Sequence, residues 1–390
     1  MPHYLSLGSI PKKRHTAHRT TPGFKGEGIF YEEVVSTEGF NRAYSIVYHL
    51  KPPTRVRRVE AAGERRVEAS EQRVLRHHHL KTLAMPAGGD PVTGRVPLFT
   101  NADVTLWRCR PTDPQAELFR NALADEVVFV HKGSGRLRTH FGDLHFNPCD
   151  YVVIPRCTTY QFKFAPGVQP DLLVIESPRP VGFPDRYLNP DGQFRLGAPF
   201  CERDVHGPTE LAPIDRDEDV SVVIKDGHRL TRYVMAHHPF DVVGWDGQVY
   251  PFTFNADDFE PITGAIHQPP PIHQTFEGRG GFVVCTFAPR VLDTHPEAVK
   301  IPYAHSNVES DEVLYYVRGK FGSRRGVDEC SFTLHPHGIP HGPHPGTIAA
   351  SWPMTRTDEL AVMVDTFRPL YLTRQAEGFD DPAYPLSWLD

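Results

Sequence analysis

No run of about 18 apolar residues occurs in the chain, so no transmembrane helix is expected and no membrane is expected as a partner. The first residues, MPHYLSLGSIPKKRHTAHRT, are basic but have no apolar stretch behind them. No secretory leader is therefore expected, and a cytoplasmic location is. The formal net charge of −6 argues against nucleic acid, whose phosphates need a basic surface. The Arg-rich stretch 55–76 interleaves glutamates and reads as a solvated face. Only six cysteines occur, Cys109, Cys149, Cys157, Cys201, Cys285 and Cys330, and none forms a CxxC pair. A disulfide framework and a zinc–thiolate site are therefore not expected. Neither GxGxxG nor the GxxxxGK phosphate loop is present, so no nucleotide cofactor is implied. Long patterns of helical period are scarce too.

What the chain does have is 38 prolines, 31 glycines and 22 histidines. Proline and glycine punctuate short β-branched and aromatic runs: Glu126–Val130, Tyr151–Pro155, Leu172–Glu176, Val220–Ile224, Phe282–Phe287, Val313–Val317 and Leu360–Thr366. Such runs between turn residues read as strands and predict an all-β dominated fold. The 390 residues are enough for two or three domain-sized units.

Two segments repeat one layout. The first reads NALADEVVFVHKGSGRL and then DYVVIPRCTTYQF; the second reads HSNVESDEVLYYVRGKF and then SFTLHPHGIPHG. In each, a Glu opens an apolar strand and a Gly follows after six intervening residues, Glu126 to Gly133 and Glu312 to Gly319. In each, a later strand ends at a Pro, and five residues on stands Tyr160 or His341. This is the layout of a cupin, a small double-sheet jelly roll, and two copies predict a bicupin of two jelly-roll barrels. The expected division is 1–100, strands and loops packed on the cupins; 101–215, a degenerate N-terminal cupin; and 216–390, a metal-binding C-terminal cupin.

The second copy carries His305, Glu312 and His341. Two imidazoles and one carboxylate on one face of a metal, with the other face open, suit non-haem Fe(II). Asp311 adjoins Glu312 and faces the other way on an extended strand, so either could be the carboxylate. The Glu-to-Gly spacing shared by the copies favours Glu312. The first copy keeps Glu126 but has Phe119, Asn121 and Tyr160 in place of imidazoles, and reads as a cupin without metal.

Other histidines are candidates for acid–base work. His267 and His273 bracket the rigid run HQPPPIHQ, and either could take a proton from a phenol. His335 could hydrogen-bond substrate or a metal ligand. His77, His78 and His79 are consecutive, which suits packing more than ligation. His237 and His238 could support the site. Phe321, after the Arg-Gly pair at 318–319, would point near the metal.

Long motifs carry a family resemblance: IPKKRHTAHR near the start, CERDVHGPTE at 201–210, and RYVMAHHPFDVVGWDGQVYPFTFNADDFEPITGAIHQPPPIHQTFE at 232–277. It continues with IPYAHSNVESDEVLYYVRG at 301–319, LHPHGIPHGPHPG at 334–346 and DELAVMVDTFRPL at 358–370. Over nearly its whole length the chain resembles the homogentisate 1,2-dioxygenase family in its shorter bacterial form. The resemblance implies Fe(II) held by His305, Glu312 and His341, with His341 also meeting substrate, and a proton-accepting histidine near His267. It implies that a small aromatic substrate and dioxygen are its partners. Homogentisate would be opened to maleylacetoacetate in tyrosine and phenylalanine catabolism, and the protein would be a homo-oligomer. Two departures from the family's long form stand out. That form has one residue fewer between its first His and its Glu, which keeps Asp311 in play. It also has a substrate-binding Tyr where this chain has Phe321, which opens other hydroquinones such as gentisate. A metal-dependent cupin isomerase and a non-catalytic ligand-binding bicupin are the rival readings.

Overall fold

The computed structural model describes residues 3–20, 27–265 and 270–389. Among these the regular structure is almost entirely β, and the one α-helix is the five-residue Thr347–Ser351. Each of the seven runs picked out by composition forms the body of a strand. Asp125–Lys132 (DEVVFVHK) is buried everywhere except its last residue, and Asp311–Arg318 (DEVLYYVR) is buried except at Leu314 and Arg318. Both faces of these strands meet packed side chains, which is why their apolar runs are nearly continuous rather than alternating.

The internal repeat is visible in the backbone. Both strands have eight residues and begin Asp-Glu-Val. Each is stopped by a left-handed glycine, Gly133 at φ 97° and Gly319 at φ 89°. At Gly319 a Cβ would stand 2.4 Å from the Asp358 carbonyl oxygen, so no other residue fits. The chain then re-enters through a left-handed cysteine, Cys149 at φ 69° and Cys330 at φ 63°. Their N–H groups donate to Val130 O at 2.7 Å and Tyr316 O at 2.8 Å. The strands that follow, Asp150–Ile154 and Ser331–His335, pair antiparallel with the Glu strands, and Ile154 faces Glu126 as His335 faces Glu312.

An eight-stranded sheet has Asp150–Ile154, Asp125–Lys132, Asp171–Ser177 and Thr105–Cys109 side by side at its centre. A seven-stranded sheet holds Phe282–Phe287, Leu360–Thr366, Asp311–Arg318 and Ser331–His335 in that order. Strands cross between the early and late parts of the chain. His78–Lys81 forms the edge beside Ser331–His335, while Val220–Asp226 runs parallel to Leu118–Asn121 and Phe252–Asn255 pairs with Asp150–Ile154. One apolar core passes through both sheets and includes Phe129, Tyr151, Phe254, Phe276, Phe332 and Val364. The buried Tyr151 hydroxyl is satisfied by Thr286 Oγ1 at 2.8 Å, as a hydroxyl removed from water must be.

An ionic knot fastens a third, four-stranded sheet. His49 Nδ1 donates to Asp241 Oδ1 at 2.7 Å and His49 Nε2 donates to Glu33 Oε2 at 3.0 Å. Burial alone would push the imidazole down, but the bonds to Asp241 and Glu33 outweigh it and raise its pKa from 6.5 to about 9. A group raised in the folded state contributes fully below its unfolded value and loses that contribution as pH rises through the folded one. Urea midpoints should therefore fall between pH 6.5 and about 9. In His49→Gln that slope should shrink; an unchanged slope would assign the loss to other groups.

Candidate metal centre

His305 and His341 come from loops that meet across a two-way backbone bridge. His305 N donates to His341 O at 2.8 Å, and His341 N donates to His305 O at 2.9 Å. This places their ring centroids 4.3 Å apart. Each ring turns its Nδ1 toward a nearby backbone carbonyl, His305 to Tyr303 O at 3.3 Å and His341 to Ile339 O at 3.4 Å. A proton held on Nδ1 leaves Nε2 as the lone-pair donor. Those Nε2 atoms face the two oxygens of Glu312, at 3.7 Å for His305 and 3.5 Å for His341. The separations are long for hydrogen bonds but of the right order for donors sharing one ion.

Burial tends to raise the Glu312 pKa, but the facing imidazoles of His305, His335 and His341 prevail and hold the carboxyl well below its usual range. The buried His341 Nε2 has no hydrogen-bond partner, an expensive state for a polar atom unless something else takes its lone pair. The residues therefore fit a divalent cation of the kind that imidazole and carboxylate bind. Asp311, by contrast, turns away. Its carboxylate accepts from His337 N, His337 Nδ1 and Leu370 N, each at 2.7 Å. Glu312 is the carboxylate of the cluster.

His335 lies behind this group, fully buried. Its Nδ1 donates to Glu312 Oε1 at 2.8 Å, its Nε2 accepts from the Tyr384 hydroxyl at 3.2 Å, and its ring stacks on His341 at 4.4 Å. Burial, with Arg324 and His341 nearby, pushes it down to about 3, so the ring is neutral. A group that orients a ligand this way typically contributes about 10–100-fold in metal affinity. His335→Ala should weaken Fe(II) binding by about that factor in an anaerobic chelator competition; unchanged affinity would show the bond to be incidental.

A cavity of about 510 Å³ opens in front of the group. Glu312, Leu314 and Tyr316 line it as alternate residues of one strand, joined by His305, Phe321 and Arg324. Phe321 packs edge-on against Tyr316, ring centroids 4.7 Å apart. Arg324 donates to the Gly342 carbonyl and lies 5.9 Å from the Trp388 ring. Asp365, opposite Glu312 in the sheet, also lines the cavity. Burial and the Glu312 charge push Asp365 well above its usual range. His273 is buried in the cavity wall, 4.6 Å from the Phe287 ring, and His267 lies outside the described residues. His335 does not line the cavity.

The remaining histidines separate. His77 Nε2 donates to Pro340 O at 3.2 Å, with its ring edge-on to His341 and His335, so it packs behind the site. His78 bonds Asp380 at 2.9 Å and His79 bonds Ser331 Oγ at 3.0 Å. The suggestion that His237 and His238 support the metal site is corrected. His237 lines a different cavity, with His49 and Glu33, because it follows the strand Arg229–Met235, which pairs with Val220–Asp226 and not with the Glu312 sheet. Sequence reasoning missed Tyr316, Arg324, Tyr384 and Asp365. Only Tyr316 had a signal, the period-two spacing from Glu312.

In the first repeat a guanidinium stands where the second has its open donors. Arg95 Nη1 donates to Glu126 Oε1 at 2.8 Å, the Tyr160 hydroxyl donates to Glu126 Oε2 at 2.6 Å, and Asn121 Nδ2 donates to Glu126 Oε1 at 3.2 Å. The carboxylate is saturated by an internal cation. A second cluster that could hold a metal, His131, Glu329 and Cys330, is also largely satisfied: His131 bonds the Tyr315 hydroxyl at 2.6 Å and Glu329 at 2.9 Å.

An almost all-β, loop-rich chain, with an imidazole and a carboxylate on a cavity wall and a second imidazole buried behind them, is consistent with a cupin-type domain that could hold a metal. Comparison with known proteins narrows this. The profile of the family described as "Homogentisate 1,2-dioxygenase N-terminal" matches residues 92–256. The Saccharolobus solfataricus protein named "Putative dioxygenase SSO1533" is 38% identical over 99% of this chain and 98% of its own length. A homogentisate 1,2-dioxygenase of Bradyrhizobium diazoefficiens is 23% identical over 95% of this chain and 86% of its own. Among solved structures, a cupin 2 conserved barrel domain protein from Leptotrichia buccalis aligns at 7% identity over 77% of this chain and all of its own, with a TM-score of 0.34. The chain belongs to the homogentisate dioxygenase-like family of oxidoreductases. No helix among the described residues is long and apolar enough to cross a membrane.

Proposed function

We propose that the protein is an Fe(II)-dependent ring-cleaving dioxygenase that opens homogentisate with both atoms of dioxygen to give maleylacetoacetate, in tyrosine and phenylalanine catabolism. The observation that carries this reading is the His305, Glu312 and His341 cluster: His305 and Glu312 line the 510 Å³ cavity, and His341, with an orphaned Nε2, is buried behind them. Iron held by these three would supply coordination places for a phenolate and dioxygen and a route for electrons between them. The chain's own groups do the rest. His335 keeps Glu312 oriented and ionised. Phe321, Leu314 and the Tyr316 ring give the aromatic ring an apolar wall, with the Tyr316 hydroxyl held by Thr333 Oγ1 at 3.0 Å. His341 would meet substrate only at the metal, since neither it nor His335 lines the cavity. His273, or His267, takes the phenol proton.

The two-cupin organisation belongs to the same proposal, with 101–215 as the metal-free cupin, 216–390 as the metal-binding one and 1–100 packed on both. The later unit would lend its first strands to the earlier. A homo-oligomer working in the cytoplasm is part of this reading too. A second substrate, gentisate or another substituted hydroquinone, is favoured by one feature: Phe321 offers no hydroxyl to the cavity. Anaerobic loading with Fe(II), followed by oxygen-electrode assays with homogentisate and gentisate, tests the activity and its substrate. Stoichiometric oxygen uptake with homogentisate is expected. Uptake with gentisate alone would move the substrate. A metal-loaded protein that consumes no oxygen with either would turn the reading toward a cupin isomerase or a ligand-binding protein.

A further inference from the structure

A second cavity, of about 300 Å³, lies between the four-stranded sheet and the strands Val220–Asp226 and Arg229–Met235. Its volume is at the lower end of what small-molecule sites need. Val222, Ile224 and Met235 give it an apolar wall, and its other end is polar. Glu33 lines that end with one carboxylate oxygen bound to His49. Burial raises the Glu33 pKa, but the bond and charge of His49 override it and bring the carboxyl to about 2, so it is ionised. Arg120 lines the same end, with its Nε–H donated to Thr159 Oγ1 at 2.8 Å. Among the described residues its terminal nitrogens make no ion pair, and Glu33 and Arg120 do not reach each other.

Two neutral imidazoles stand beside these charges. His140 accepts the Thr159 N–H on Nδ1 at 3.2 Å, which leaves its proton on Nε2. His237 is 1% exposed, lines the cavity, and has a buried Nδ1 with no hydrogen-bond partner. A buried imidazole nitrogen left without a partner is costly, and a ligand would recover that loss. None of these groups belongs to the metal centre.

We propose that this cavity binds a free α-amino acid with an apolar side chain, its carboxylate on Arg120 and its ammonium on Glu33. A carboxylate and a guanidinium that share a cavity without pairing match a ligand carrying both charges. A simple anion would leave Glu33 facing like charge, and a simple cation would leave Arg120 so. The apolar wall takes the side chain, and His237 Nδ1 and His140 Nε2–H supply the remaining polar contacts.

Calorimetric titration of the iron-loaded wild type with L-leucine and L-phenylalanine tests this directly. At least one should give saturable binding. The singly charged analogues 3-phenylpropionate and phenethylamine should bind at least about 10-fold more weakly than L-phenylalanine. Glu33→Gln and Arg120→Gln should each weaken amino-acid binding by about 10-fold or more with iron content unchanged, and Arg120→Lys should retain more of it than Arg120→Gln. The comparison of analogues is made on the wild type, so it stands even where a variant does not fold. Absence of saturable heat with both amino acids up to about 10 mM would overturn the proposal. So would 3-phenylpropionate binding as tightly as L-phenylalanine, or folded Glu33→Gln and Arg120→Gln proteins binding as well as wild type.

Discussion

Glu312→Gln should leave the protein with less than about a hundredth of its affinity for Fe(II), while the neighbouring Asp311→Asn should keep its iron and lose stability instead. The contrast follows from where the two carboxylates point. Glu312 faces Nε2 of His305 and of His341, and an amide there cannot supply the charge that a divalent cation needs. Asp311 accepts from two backbone N–H groups and the His337 ring on the far side of the strand. Its loss from a buried position costs about 1–3 kcal/mol of folding free energy. Iron retained after gel filtration, with urea unfolding of the metal-free proteins, separates the two. If Asp311→Asn loses the iron and Glu312→Gln keeps it, the ligand assignment is wrong.

The second large effect is expected in the other repeat. Glu126→Gln should destabilise the protein by about 3–5 kcal/mol, because it leaves the Arg95 guanidinium buried without its counter-charge. The pair is nearly inaccessible, 3% exposed at Arg95 and 1% at Glu126. Replacing both, Arg95→Met with Glu126→Leu, should recover most of that loss, since a desolvated ion pair is often no better than apolar residues of similar volume. The lowered urea midpoint of the single variant, at unchanged slope, is the measurement. Fe(II) affinity should not change in either protein. A double variant as unstable as the single one would mean that Tyr160 and Asn121, not the charge, set the cost.

Much of this was legible in the residues. β-branched runs bounded by glycine located the strands, since the same side chains that fill a pleated, two-sided core define the pattern. The Glu-to-Gly spacing was legible because Gly319 cannot carry a Cβ beside Asp358. Alternation on an extended strand separated Glu312 from Asp311 in principle, and the register of His335 against Glu312 completes the group. What could not be read came from long-range pairing. Arg95 lies outside the repeat that contains Glu126, and nothing local says that its side chain fills a metal's place. Arg324, Tyr384 and Asp365 reach the site through loops and a neighbouring strand. His237 and His238 sit in a motif as characteristic as the one around His305, yet strand pairing sends His237 to another cavity.

The exchange of strands between early and late segments has a consequence for the chain as a physical object. A fragment cut near residue 216 would take Val220–Asp226 and Phe252–Asn255 away from the sheets they complete, and would strip His78–Lys81 from the edge beside Ser331–His335. Each piece would bare rows of N–H and C=O groups that pair with whatever strand comes next, so the pieces should aggregate rather than fold. If the two repeats began as copies of one small protein, that ancestor could stand alone and its descendants cannot.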